Sequence, residues 1–311
     1  RFDPFPSVYD IIDATFCPVA IVHKFFHGFQ RVFRDSTPRR SGLGVGELYH
    51  ELIAYVKTEI SLRRRPPDDA MDMFHEFCEK RILDDAAERS LKQYFCCWLE
   101  RNRGNLEEIW EQNPTIFFEV HVASINVTFG TGTRFPLHGV IDELDITNKR
   151  IIERTIRGSE DDENPPILKD YQVWLLWKIL ISIDKSAIPE IWRNENFQDY
   201  ELVVETPYRD YLVDKSMLQS QFERLARDAL VWIQDISFIM RISTFAGGVG
   251  LQDIVLSMFS PPWCIMWGNM LPEGCRFDPS ILEDGIGFTQ SFRIIRCDLR
   301  SLVACYSRLC S

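Results

Sequence analysis

Apolar residues recur at helical spacing through most of the first 112 positions. In the segment 46–65 they lie three or four positions apart, at Leu48, Leu52, Ile53, Val56 and Ile60. That spacing places them on one face of a helix. A second helix is predicted over 66–82, where prolines and acidic residues stand at the start. A third is predicted over 84–103, with Gly104 ending it.

The pattern changes at residue 115, where β-branched and aromatic residues become frequent. Three strands are predicted at 115–129, 135–146 and 150–156, with a turn at 147–149 between the last two. The segments after them are predicted as an acidic loop (157–166), an apolar helix (167–183), a strand (199–208) and an amphipathic helix (216–236). The first three strands have short connections and are expected to be antiparallel neighbours. The apolar helix can then cross over to set the fourth strand beside them.

This order predicts an α+β protein with a helix, three strands, a helix and a strand at its centre. We expect a helical N-terminal part at 1–112 and the sheet-containing core at 113–240. A cysteine-rich extension is expected at 241–311.

Composition narrows the classes of partner. The chain has 311 residues and a formal net charge of −11, which argues against a broad, non-specific coat of basic residues for nucleic acid. The pair Arg39–Arg40 and the triplet Arg63–Arg65 are local exceptions, and for each taken alone a solvated loop or helix face is the better explanation. No signal peptide is visible, and the apolar run 171–183 is too short to span a bilayer. We therefore expect a cytoplasmic or nuclear protein without a membrane partner.

Two acidic residues stand on neighbouring predicted strands. Asp142 precedes the turn at 147–149 and Glu153 follows it, so the two carboxylates can face each other if the register permits. Paired carboxylates of this kind bind hard divalent cations that assist phosphodiester hydrolysis. Such a pair is also common on solvated strands, so it needs support from other residues.

Three further motifs occur in a fixed order around this pair. GELYH places His50 on a helix before the sheet, YQVWLLW places Gln172 on the helix after it, and FCP places Cys17 ahead of both. Together with GVIDELDI, the set resembles the RecB-like branch of the PD-(D/E)XK nucleases. That branch includes exonuclease V and the CRISPR-associated RecB-like exonucleases. The resemblance covers roughly residues 7–235.

The resemblance implies a restriction-endonuclease-like core and a metal-dependent deoxyribonuclease. His50, Asp142, Glu153 and the main-chain carbonyl of Arg154 would hold Mg²⁺ or Mn²⁺. Gln172 matches the glutamine of the family's Q-x-x-x-Y motif, which positions DNA. DNA, as single strands or duplex ends, and a helicase or another protein subunit are the partners that the resemblance implies.

The sequence departs from the family at two positions. Thr155 stands where the family has a lysine that orients water and stabilises the charge of the transition state, and Leu176 stands where the motif has tyrosine. Lys169, one turn before Gln172, or Arg157, two residues beyond Thr155, could supply the missing cation. Each is also readily explained as a surface charge.

The chain has nine cysteines but no C-x-x-C pair. Iron–sulfur members of the family hold a 4Fe–4S cluster with one early cysteine and a late group. Cys17 matches the early position. Cys297, Cys305 and Cys310 form a late group with unmatched spacing, although a cluster needs only thiolates that converge in space. Buried thiols are the alternative.

The leading hypothesis is therefore a metal-dependent DNA nuclease acting in repair, recombination or defence. The second is a catalytically inactive nuclease fold that binds nucleic acid or acts as a scaffold for a partner. The third is an unrelated α+β enzyme in which these motifs are incidental.

Overall fold

The computed structural model describes residues 6–16, 43–81, 83–130, 132, 134–163 and 167–245. These residues form a mixed α+β protein with a five-stranded sheet and several helices. They fall into two compact units. One contains the first helix, the segment 125–137 and the last helix from Ser216 onward, and the other contains the rest.

Among the described residues, four α-helices precede the sheet: α1 (Val8–Phe16), α2 (Leu43–Ser61), α3 (Ala70–Arg81) and α4 (Asp85–Gln112). The apolar face predicted for α2 is buried against α3 and α4 in one hydrophobic cluster. Phe74 of α3 stacks on Phe95 of α4, which stacks in turn on Trp98. The helical periodicity therefore identified the residues that α2 contributes to this core at Leu48, Leu52, Ile53, Val56 and Ile60.

The prediction that Gly104 ends the third helix is wrong. Helix α4 continues through Gly104 to Gln112, and Asn113 ends it in the left-handed conformation with φ of 50°. The N–H of Asn113 donates to the carbonyl of Ile109 at 3.1 Å. Asparagine tolerates this backbone conformation and satisfies a free carbonyl of the last turn, so the helix is not obliged to stop at the glycine.

The sheet contains β1 (Ile116–Thr128), β2 (Arg134–Asp145), β3 (Arg150–Arg154), β4 (Glu201–Glu205) and β5 (Asp210–Val213), in that spatial order. Strands β2 and β3 are antiparallel, β3 and β4 are parallel, and β4 and β5 are antiparallel. Strand β5 was not predicted. It has only four residues, and its hairpin depends on Thr206, whose side chain accepts the N–H groups of Tyr208 and Arg209.

Helix α5 (Ile167–Ile181) makes the crossover between the parallel strands and packs against both β3 and β4. Residues 171–180 are buried on every side of it, as expected for an apolar helix covered by a sheet and by other elements. The short helix α6 (Glu190–Arg193) precedes β4, and α7 (Lys215–Phe245) follows β5. None of the described helices is long and apolar enough to cross a bilayer.

Candidate functional site

The two predicted acids meet where strands β2 and β3 separate. Main-chain pairing runs from Asp145–Arg150 to Glu143–Ile152. At the next residue pair, Asp142 and Glu153, carboxylate side chains accept the main-chain N–H groups in place of main-chain carbonyls. The N–H of Asp142 donates to Glu153 Oε1 at 3.2 Å, and the N–H of Arg154 donates to Asp142 Oδ2 at 2.6 Å. Each carboxylate thus satisfies a main-chain donor that the parting strands leave unpaired.

Helix α2 brings His50 to this point. Its Nδ1 lies 3.3 Å from Asp142 Oδ2, and the two side chains are 20% and 12% exposed. The histidine follows Tyr49, which is buried in the helical core, so the packing of α2 determines where the imidazole lies. His50 and Asp142 are therefore neighbours that retain some access to solvent.

Helix α5 supplies two polar groups to Glu153. Lys169 Nζ lies 3.3 Å from Glu153 Oε2, and Gln172 Nε2 donates to the same oxygen at 2.6 Å. The lysine and the glutamine lie one helical turn apart, so both can reach one acceptor from the same helix face. Glu153 itself is fully buried, whereas Lys169 is 18% exposed.

The two carboxyls hold their protons with different strength. Burial alone would raise the pKa of Asp142, but the charges of His50 and Lys169 and the hydrogen bond from Arg154 outweigh it and hold that pKa far below its usual range. Burial raises the pKa of Glu153, and the neighbouring charge of Asp142 raises it further against the opposing effect of Lys169. One carboxyl of the pair is therefore firmly ionised, and the other is held closer to its neutral form.

The other predicted residues lie less close to the pair. Thr155 is buried, and its N–H donates to the carbonyl of Glu205 at 3.0 Å. Arg157 is exposed, and no ion pair among the described residues joins it to either acid. Leu176 is buried in the core. Of the two candidate replacement cations, the structure brings only Lys169 to Glu153.

The carboxylate oxygens suit a hard cation such as Mg²⁺ or Mn²⁺, and a neutral imidazole nitrogen is a common metal ligand. Within the described part of the chain, however, no three His, Cys, Asp or Glu side chains are arranged as a ready metal site. Glu153 is engaged instead by Lys169 and Gln172. Metal binding by His50, Asp142 and Glu153 therefore stays a prediction.

Two features of the site were not expected from the sequence. Glu119 on β1 has positive φ of 50°, and its pKa is raised by partial burial and by the charge of Asp142. Arg154, expected to contribute only its main chain, has a fully buried side chain paired with Glu143 and Glu205. The sequence signal for such a buried pair is weak: it is the presence of charged residues next to the apolar residues of the strand RIIER.

The basic triplet at 63–65 is largely neutralised. Arg63 pairs with Glu59 at 2.8 Å, Arg65 pairs with Glu76 at 2.9 Å, and Arg64 lies over the Trp110 ring. The other basic cluster, Arg39–Arg40, lies outside the described residues, and so do Cys17, Cys297, Cys305 and Cys310. The described cysteines are Cys78, Cys96 and Cys97, which are all free thiols.

The chain matches no protein-family model and no curated protein. Among solved structures it is similar to one described as "Crystal structure of SSO0001", with 14% sequence identity and a TM-score of 0.33. The similarity covers 74% of this chain and 77% of the other. A likeness of this size assigns neither a fold family nor a function.

Proposed function

We propose that this protein is a divalent-metal-dependent DNA nuclease of the RecB-like PD-(D/E)XK type, and that Lys169 takes the place of the missing strand lysine. One observation carries the proposal: Lys169 Nζ lies 3.3 Å from Glu153 Oε2. Glu153 is also the acid that accepts the main-chain N–H of Asp142. A cation on α5 thus reaches the same carboxylate pair that a lysine at position 155 would serve.

In this proposal His50, Asp142, Glu153 and the carbonyl of Arg154 would hold Mg²⁺ or Mn²⁺. The bound cation would neutralise phosphate charge and lower the pKa of an attacking water. Lys169 would stabilise the negative charge that develops on the phosphate, and Gln172 would keep Glu153 oriented. Preorganised charges of this kind contribute several kcal/mol to catalysis.

The order of the elements supports the same proposal. A helix with His50, three strands with Asp142 and Glu153, a crossover helix with Lys169 and Gln172, and a fourth strand follow one another along the chain. The RecB-like core has this order. DNA in repair, recombination or defence would be the substrate, with a helicase or another subunit as a partner.

A second function, a catalytically inactive fold that binds nucleic acid or acts as a scaffold for a partner, is favoured by a different observation. Glu153 is fully buried and occupied by Lys169 and Gln172, and the described residues contain no ready three-donor metal site. Such an arrangement is also what remains when a nuclease site is converted into a structural ion pair.

Cleavage of end-labelled single- and double-stranded DNA with Mg²⁺ or Mn²⁺ separates the two functions. The wild type is expected to cut DNA. Lys169→Ala is expected to lower the rate by about a hundredfold or more, the typical effect of removing one charge-stabilising group. Lys185→Ala is the matched control, because Lys185 is an exposed lysine whose Nζ donates to the carbonyl of Glu195, and it should cut like the wild type. A wild type that binds DNA but never cuts it would leave the scaffold function.

Thr155→Lys tests the same question from the opposite direction. If Lys169 already serves the site, a second lysine adds little and the rate should stay within about tenfold of the wild type. If the fold is inactive only because the strand lysine is missing, Thr155→Lys should create metal-dependent cleavage in a protein that has none. The same labelled DNA measures both outcomes.

A further inference from the structure

Arg154 connects the candidate site to a group of charges on the opposite face of the sheet. Its main-chain N–H donates to Asp142 Oδ2 at 2.6 Å. Because side chains alternate along a strand, Glu153 points toward one face of β3 and Arg154 toward the other. Arg154 therefore contacts Asp142 through its main chain on one face of β3, while its side chain is held on the opposite face.

That anchor is a buried ion network. Arg154 Nε donates to Glu205 Oε2 at 2.5 Å, and the guanidinium also pairs with Glu143. Glu143 accepts two further hydrogen bonds from Lys57 Nζ, both at 2.9 Å, and Glu205 accepts one from Trp98 Nε1 at 3.1 Å. All of these charged groups are at most 3% exposed.

The sheet register explains why the network forms at this position. In the parallel pairing of β3 and β4, Arg154 lies beside Glu205 and Arg150 lies beside Glu201. The chain thus places an Arg–Glu pair at each end of the ladder. The Arg150–Glu201 pair is exposed, at 46% and 49%, whereas the Arg154–Glu205 pair is buried at the end that carries the acids.

A buried pair is a poor source of stability, because desolvation offsets most of its attraction and apolar residues of similar size are often as stable. Its geometry is nevertheless restrictive. The planar guanidinium donates to two carboxylates only in a fixed arrangement, and this arrangement restricts the position of the Arg154 backbone.

We propose that Arg154 and Glu205 are positioning residues, whose buried pair holds the Arg154 amide against Asp142 and so shapes the site for a divalent cation. The part of this proposal that concerns the cation rests on the proposed nuclease function; the part that concerns the amide does not. Changes to the groups that orient metal ligands typically lower metal affinity by about 10- to 100-fold.

Mn²⁺ binding by the purified full chain, measured by calorimetry, tests the cation part. Glu205→Gln is expected to weaken Mn²⁺ binding by about 10- to 100-fold. Glu201→Gln, the matched control on the same strand, should bind like the wild type. Asp142→Asn should abolish binding and so show that the measured ion occupies this site.

A double variant keeps the test valid if Glu205→Gln does not fold. Arg154→Met with Glu205→Met removes the pair together and leaves Glu143 paired with Lys57, so no buried charge loses its partner. The Trp98 N–H loses its acceptor, so the variant should fold with a somewhat lower melting temperature. A merely structural pair predicts unchanged Mn²⁺ affinity in this folded variant. The positioning role predicts that the affinity falls.

Amide hydrogen exchange in the metal-free protein supplies a measurement that does not depend on cation binding. The amide of residue 154 should exchange at least about tenfold faster in the double variant, relative to the other β3 amides, while Glu201→Gln leaves it protected. Unchanged exchange at residue 154 in the double variant would overturn the proposal. If the wild type binds Mn²⁺, an unchanged Mn²⁺ affinity of the double variant would overturn it too. A wild type that binds no Mn²⁺ would instead defeat the proposed function, and the exchange result alone would then decide the positioning role.

Discussion

Asp142 and Glu153 are two carboxyl groups at close range, and their surroundings distinguish them. His50 and the Arg154 amide contact Asp142, whereas Lys169 and Gln172 contact Glu153. The result is one carboxyl with a strongly lowered pKa and one with a raised pKa. Pairs of acids separated in this way are typical of functional sites, although structural ion networks produce them too.

A third acid, Asp170, gives a prediction about how the stability of the fold depends on pH. Asp170 lies in the first turn of α5, and burial raises its pKa to about 7 against the opposing main-chain hydrogen bonds. Its unfolded pKa is near 3.8, so the folded state is the one that retains the proton. Below about pH 4 the carboxyl of Asp170 is protonated in both the folded and the unfolded state, so it does not lower the free energy of unfolding. The folded state then loses stability as the pH rises, by on the order of 1.4 kcal/mol per unit of pKa difference, until about pH 7.

Asp170→Asn should remove this penalty. The variant is expected to melt several degrees above the wild type at pH 8 and at nearly the same temperature at pH 4. Thermal unfolding followed by circular dichroism at both pH values measures the effect. An equal difference at the two pH values would show that the substitution acts through packing or hydrogen bonding and not through ionisation.

At the scale of elements, α4 shows how local signals are overridden. Gly104 is a helix-ending residue by propensity, yet the helix continues for two more turns because Leu106 and Ile109 are buried in the core beyond it. The cap Asp84, whose carboxylate accepts the N–H groups of Ala86 and Ala87, begins the helix. Packing thus decided where α4 ends.

Gly104→Ala follows from this as a stability prediction. A Cβ at Gly104 would meet no atom within 4 Å, and alanine in a helix interior is favoured over glycine by about 0.5–1 kcal/mol. The variant should therefore raise the free energy of unfolding by that amount in urea titrations. Gly158→Ala is the contrasting control, because φ of 120° at Gly158 is unfavourable for alanine and the protein should be destabilised.

At the scale of the whole molecule, the net charge of −11 opposes unaided binding to a polyanion. Arg63 and Arg65 are paired with glutamates, so two of the three charges of the basic triplet are neutralised. A nuclease with this charge would be expected to depend on a partner subunit, or on the local cations of its site, to hold DNA.

The iron–sulfur prediction also belongs to the whole molecule, because it joins Cys17 to Cys297, Cys305 and Cys310 near the opposite end of the sequence. Protein purified without oxygen should contain about four iron atoms per chain and absorb visible light. Cys17→Ser should lose the iron, whereas Cys96→Ser, an exposed free thiol, should keep it. Iron-free protein from an anaerobic preparation would show that these cysteines are ordinary thiols that hold no cluster.

Periodicity alone predicted α2, α3 and the start of α4, the strands β1 to β4 and the crossover helix, since burial requires apolar residues at the spacing of each element. The acids, His50, Lys169 and Gln172 could also be singled out by type and order. Which of them touch was decided only by the tertiary structure. Lys169 and Arg157 were equal candidates in sequence, and the packing of α5 against β3 brings one of them to Glu153 while leaving the other exposed. The buried Arg154–Glu205 pair likewise depends on a parallel register between strands far apart in the chain, and local patterns do not encode such a pairing.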